Sequence, residues 1–162
     1  MAEFFAPLFA LDEASSWREA QRVAGRRVVS TNGVFDLLHA GHVAYLAWAR
    51  AQGDVLLLLL NSDESVRLLG KGPDRPLVAF EERARVVAAL RSVDAVVGFG
   101  ERTPEVALER LRPDVHVKSA QYRVEDLPER FVVERHGGAI VLAPHEPGRS
   151  TTDLVATIRS RT

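Results

Sequence analysis

The segment Val55-Leu-Leu-Leu-Leu-Leu60 constrains the fold more than any other stretch of the chain. Leucine favours helix, but this run is short, unbroken and bounded by Gly53-Asp54 and Asn61-Ser62. Those bounds mark a strand, and a strand with no polar alternation must be buried on both faces. Only a sheet covered by helices on both sides can hold it. Similar short apolar runs at 28–32, 95–99, 114–118 and 139–143 predict four more strands. Amphipathic stretches at 42–52, 63–69, 80–91, 104–111, 124–136 and 152–160 predict the intervening helices. Ser16-Trp17-Arg18-Glu19 reads as a capping box that opens an earlier helix, with Gly25 ending it. The alternation specifies an α/β fold: a Rossmann-like, doubly wound, parallel five-stranded sheet with helices on both faces. Such sheets bind ligands beyond the carboxyl ends of their strands, where the strand order reverses. The loops after residues 32, 61, 99, 118 and 143 are therefore the candidate site.

At 162 residues, without repeats or a long linker, the chain reads as one domain over 15–162 preceded by a loosely held extension over 1–14. A net charge of −1 provides no basic field for nucleic acid or an anionic membrane. The absence of cysteine excludes disulfides, thiolate metal sites and cysteine nucleophiles, and suits a cytoplasmic location. The apolar start "MAEFFAPLFALDE" lacks the basic region of a signal peptide, and the leucine run is too short to span a bilayer.

The densest chemistry lies in "NGVFDLLHAGH", residues 32–42. Asn32 and Gly33 end the first predicted strand; Phe35 and Asp36 follow; His39, Gly41 and His42 open a helix. A helix N-terminus presents free N–H groups and a positive dipole end to phosphate. Two imidazoles three residues apart can point the same way and stabilise charge on a phosphoryl group in transfer. Gly41 lets a phosphate approach the backbone. Two histidines and an acid could also hold zinc, but no third histidine follows at ligand spacing. The only lysines are Lys71, in a Gly-flanked loop with Arg75 close behind, and Lys118, ending the fourth strand. Each could bind phosphate, or be a solvated surface charge. Ser150-Thr151-Thr152 precede the last helix, where one hydroxyl must cap and all three could form an anion site. His116 reads as a core histidine, His136 as a partner of a helix C-terminus, and Tyr45, Trp17 and Trp48 as packing residues.

"GVFDLLHAGH" resembles the G-x-F-D-x-x-H-x-G-H signature of the cytidylyltransferase-like nucleotidyltransferases. The longer string "TNGVFDLLHAGHVAYL", with "LLLLLNSDESVRLLGKGPDRPL", "EERARVVAAL", "LRPDVHVKS" and "STTDLV", is most similar to their heptose 1-phosphate adenylyltransferase branch. The resemblance implies that ATP or CTP gives a nucleoside monophosphate to a sugar phosphate and releases pyrophosphate, with Mg²⁺ on the phosphates. It assigns catalysis to His39, His42 and Lys71. Nucleotide binding falls to Asn32, Gly33, Phe35, Asp36, Gly41, Ser150, Thr151 and Thr152, and substrate binding to Lys118, Arg75 and Arg83. No protein metal ligand is expected. Two rivals stay open: a cytidylyltransferase for glycerol 3-phosphate or a related polyol phosphate, and a non-catalytic nucleotide-binding domain. Many relatives carry a fused sugar kinase, so the expected partner here is a separate kinase chain; a homodimer is also compatible. After "VK", the branch usually continues Gly-Gly-Asp-Tyr, whereas this chain has Ser119-Ala120-Gln121-Tyr122.

Overall fold

The computed structural model describes residues 5–144 and 151–161. It contains one parallel sheet in the order β1-β4-β3-β2-β5-β6. The strands are β1 (Leu8–Phe9), β2 (Val28–Gly33), β3 (Val55–Asn61), β4 (Ala95–Phe99), β5 (Val115–Ser119) and β6 (Ala139–Ala143). The helices are α1 (Leu11–Val23), α2 (Ala40–Arg50), α3 (Asp63–Leu68), α4 (Phe80–Ala88), α5 (Glu105–Leu111), α6 (Arg130–Arg135) and α7 (Thr151–Arg159).

The leucine run is β3, paired on both edges and wholly buried. Its side chains alternate between two cores. Leu56, Leu58 and Leu60 pack with Leu46 and Ala49 of α2 and Ala84 and Val87 of α4. Leu57 and Leu59 pack with Ala14 of α1, Leu108 and Leu111 of α5, and Val132 and Val133 of α6. Each core leucine contributes about 1.5–3 kcal/mol of transfer free energy. The all-leucine strand is thus the common wall of two apolar layers.

The sheet has six strands rather than five. Residues 8–14, expected within an extension, supply a short strand parallel to β4 and the first turn of α1. Two residues carry too little period to show as a strand in sequence. The first helix begins at Leu11, five residues before the expected Ser16 box; Glu13 Oε2 accepts the Ala10 N–H, while Ser16 donates back to Asp12 O. The helix expected over 124–136 is broken. A 3₁₀ turn covers Val124–Asp126, Leu127 is extended, and α6 begins only at Arg130. Pro128 is the cause, because a residue before proline is pushed out of the helical region.

All five long strands end at one edge, and the order reverses between β2 and β5, where the chain returns across the sheet. The crevice opens there.

Candidate active site

A crevice of about 710 Å³ lies over this edge, lined by residues from the loops after β2, β3, β4 and β5 and by Thr151 at the start of α7. Its floor is the β2–α2 turn. Phe35 takes a positive φ of 48°, a costly conformation for a bulky residue. Its ring lies back over Gly33, where a Cβ would come within 2.6 Å of Phe35 Cε2. Gly33 is therefore required by the aromatic ring rather than by its own backbone angle.

The turn delivers both histidines into the crevice. His39 is the N-cap of α2, and its Nδ1 accepts the Gly41 N–H at 3.1 Å. That bond leaves the neutral ring's proton on Nε2. His42 stacks on His39, with ring centroids 3.8 Å apart, and Phe35 backs it at 5.0 Å. Burial lowers the His42 pKa to about 4, with the His39 and Lys71 charges adding to the effect and the Leu37 carbonyl opposing it. At neutral pH His42 is an uncharged imidazole whose buried Nδ1 has no hydrogen-bond partner among the described residues.

Asp36 lines the crevice, with its carboxylate already engaged by the chain. Its carboxylate accepts N–H groups of Leu77 and Val78 and pairs with Arg75 at 2.7 Å. Burial pushes its pKa up, but those donors and Arg75 outweigh it and hold the carboxyl below its usual range. Asp36 thus ties the Lys71 loop to the histidine turn, and Arg75 is the other half of the tie. Lys71 itself is solvent-exposed at the crevice mouth. Partial removal of water lowers its pKa, with Arg75 and Lys118 adding to this and Asp36 opposing it.

Arg83 corrects a sequence expectation. It lies outside the crevice, and its side chain is wholly buried. The guanidinium donates to the carbonyls of Val78, Val34 and Asn61 and to Asp63 Oδ1 at 2.6–2.9 Å. It fastens the loops after β2 and β3 to the Lys71 loop, a use that only the planar fork of arginine permits.

Lys118 lines the crevice between β2 and β5, paired with Glu129 at 2.8 Å and donating to Asn32 Oδ1 at 2.8 Å. Thr151 starts α7 and its hydroxyl reaches Leu37 O at 3.4 Å, so the last helix points its N-terminus at the histidine turn. Ser150 and the side chain of Thr152 lie outside the described residues. The crevice thus brings together every other predicted site residue except Arg83: Asn32, Gly33, Phe35, Asp36, His39, Gly41, His42, Lys71, Arg75, Lys118 and Thr151. Sequence reasoning missed Arg102, Tyr122 and Glu129 in its walls. Arg102 was accessible from its place just beyond a strand's carboxyl end. Glu129 was hidden in a stretch read as continuous helix. His116 is the expected core histidine, and Tyr45 and Trp48 pack under the crevice. His136 caps α6 and meets Glu109 at 2.8 Å.

Among the described residues no group of three or more His, Asp or Glu side chains could hold a metal, and no helix is long and apolar enough to cross a membrane. The profile of the Cytidylyltransferase-like family matches residues 30–156. The D-beta-D-heptose 1-phosphate adenylyltransferase of Bordetella bronchiseptica is 50% identical over 134 residues, 83% of each chain. The bifunctional proteins HldE of Syntrophotalea carbinolica and Geobacter sulfurreducens are each 49% identical, over 88% and 91% of this chain. This chain spans only 29–30% of those two proteins. Among solved structures, the lipopolysaccharide core biosynthesis protein of Thermoplasma volcanium matches with a TM-score of 0.63, at 23% identity, over 75% of this chain and all of that one, a likeness of fold. With the family profile running from the central strand into the last helix and a relative of matching span sharing half its residues, the chain belongs to the Cytidylyltransferase-like family.

Proposed function

We propose that the chain transfers adenylate from ATP to a heptose 1-phosphate-like sugar phosphate, releasing pyrophosphate. The observation that carries this reading is the stacked His39–His42 pair at the N-terminus of α2, facing a crevice flanked by Lys71 and Lys118. The relative of matching span named for heptose 1-phosphate adenylylation supports the base and the acceptor.

An acceptor phosphate oxygen forms a bond to the α-phosphorus as the bond from that phosphorus to the bridging oxygen of pyrophosphate breaks. A phosphate monoester has its second pKa near about 6, so the nucleophile is already anionic at neutral pH and needs no general base. The protein's task is to orient and to stabilise charge. In this reading His39 and His42 serve the transferring phosphoryl group at the N-terminus of α2, and Lys71 serves the leaving pyrophosphate. Negative charge arriving beside His42 favours its protonated form, opposing the depression that burial causes. Mg²⁺ fits as an ion carried by the triphosphate. Of the carboxylates lining the crevice, Asp36 and Glu129 already have cationic partners, and Asp126 with them forms no metal-holding group among the described residues.

Phosphorus NMR of a reaction with ATP, heptose 1-phosphate and Mg²⁺ tests the reading. Two coupled phosphoryl resonances of a nucleotide sugar, with free pyrophosphate, are expected. Release of inorganic phosphate without a diphosphate ester would overturn it.

A further inference from the structure

A buried polar chain runs under the crevice wall at the point where strand order reverses. Glu129, at the start of α6, is 2% exposed. Its Oε1 lies 2.8 Å from Lys118 Nζ. His116 lies behind it, fully buried, with Nε2 3.9 Å from the same oxygen and Nδ1 2.7 Å from Ser30 Oγ. Burial, with the nearby charge of Lys118, holds the His116 pKa well below its usual value. The neutral imidazole leaves Lys118 as the counter-ion of Glu129. Lys118 also donates to Asn32 Oδ1 at 2.8 Å, while its ammonium sits 5.2 Å from the ring centre of Tyr122.

A lysine so engaged is poorly free to meet a phosphate. Its effect passes to Asn32 instead. An ammonium only donates, so it fixes the carbonyl oxygen of the Asn32 amide and leaves the NH₂ as the group not taken by Lys118. Asn32 stands at the carboxyl end of the central strand, within the crevice lining and beside the histidine turn. The amide becomes a two-donor group toward an anionic ligand.

We infer that Glu129 is a positioning residue, acting through Lys118 to orient the Asn32 amide as a donor pair for a phosphate group in the crevice. This deepens the proposed adenylyl transfer and rests on it. Asn32 contacts the ligand; Glu129 and Lys118 set its orientation.

Charge gives the test opposing signs. If Lys118 bound phosphate directly, Glu129 would only cancel its charge, and Glu129→Gln would strengthen ATP or sugar phosphate binding. If Glu129 served the fold alone, Glu129→Gln would lower the melting temperature and leave kcat and KM of the folded protein unchanged. As a positioning residue, its removal lowers kcat tenfold or more in protein shown to be folded by circular dichroism. The double variant Lys118→Met/Glu129→Gln removes the ion pair as a unit. It should recover the melting temperature without recovering kcat. An unchanged or lower KM with unchanged kcat in Glu129→Gln, or a fully active double variant, overturns the inference. The Asn32 side-chain amide resonance, assigned by Asn32→Asp, provides an arm independent of turnover. It should move or broaden in Glu129→Gln, and an unmoved resonance sinks the relay even if no sugar phosphate proves to be a substrate. Lack of turnover in the unmodified protein counts instead against adenylyl transfer.

Discussion

Replacing Arg83 with lysine should damage the fold far more than the chemistry. The guanidinium satisfies three backbone carbonyls and the Asp63 carboxylate from a side chain with no exposure. Lysine keeps the charge, but one compact ammonium cannot span three separate carbonyls and a carboxylate. At least one or two carbonyls are then left unpaired in a buried place, at about 1–3 kcal/mol each. The Asp63 side chain is 26% exposed, so water replaces much of what it loses. The expected cost is about 3 kcal/mol, a large part of a typical stability of about 5–15 kcal/mol. For a domain of this size that lowers the melting temperature by about 6–12 °C. Thermal melts followed by circular dichroism measure it, with KM for ATP read well below the transition. Because Arg83 fastens the Lys71 loop, KM should rise modestly. A variant that melts within about 2 °C of the parent yet loses turnover would refute the fastening role and return Arg83 to the substrate.

Other outcomes follow from the same geometry. His39→Ala and His42→Ala should each lower kcat by about 100-fold or more while leaving the fold intact, since each donor contributes about 3 kcal/mol in the transition state; near-parental turnover in steady-state kinetics would contradict their role. Lys71→Ala should raise KM for ATP without changing the melting temperature, because the residue is exposed and outside both cores; an unchanged ATP titration would leave it as surface charge. His42 has a lower pKa folded, about 4, than its ordinary 6.5, so the unfolded chain binds more protons between those values. Stability is full above pH 6.5 and falls as pH drops toward 4, by about 2 kcal/mol after allowance for partial exposure. Denaturant titrations of parent and His42→Gln should converge in that window, and parallel curves would contradict the assignment. Restoring Ser119→Gly, Ala120→Gly and Gln121→Asp together should change KM for the sugar phosphate more than KM for ATP, since this loop follows β5 on the crevice wall; equal effects on both would place the loop outside acceptor binding.

Much of this was legible because the signals are local. The leucine run dictates a strand buried on both faces, and that dictates helical layers on each side. The carboxyl-edge rule then places the site before its chemistry is known. The His39–His42 spacing is likewise a local fact with a local consequence at a helix start. What stayed hidden is long-range. Arg83 sits on an amphipathic helix and passes for a substrate contact, because nothing nearby reveals three carbonyls and Asp63 converging on it from elsewhere in the chain. Asp36 reads as a nucleotide contact, and its tie to Leu77, Val78 and Arg75 shows only once the fold brings them together. Glu129 was lost because Pro128, which stops the 3₁₀ turn and lets α6 begin afresh, was read through. Leu8–Phe9 is too short to show any period and becomes a strand only because β4 offers it an open edge.

The most direct test of the central claim is pyrophosphate release by the purified chain with Mg²⁺, comparing ATP and CTP against heptose 1-phosphate and glycerol 3-phosphate, with His42→Ala in parallel. Adenylyl transfer at the stacked histidines predicts rapid release with ATP and heptose 1-phosphate, at least tenfold slower release with CTP, and near-complete loss in His42→Ala. Release that requires CTP and glycerol 3-phosphate, or that survives unchanged in His42→Ala, would contradict it.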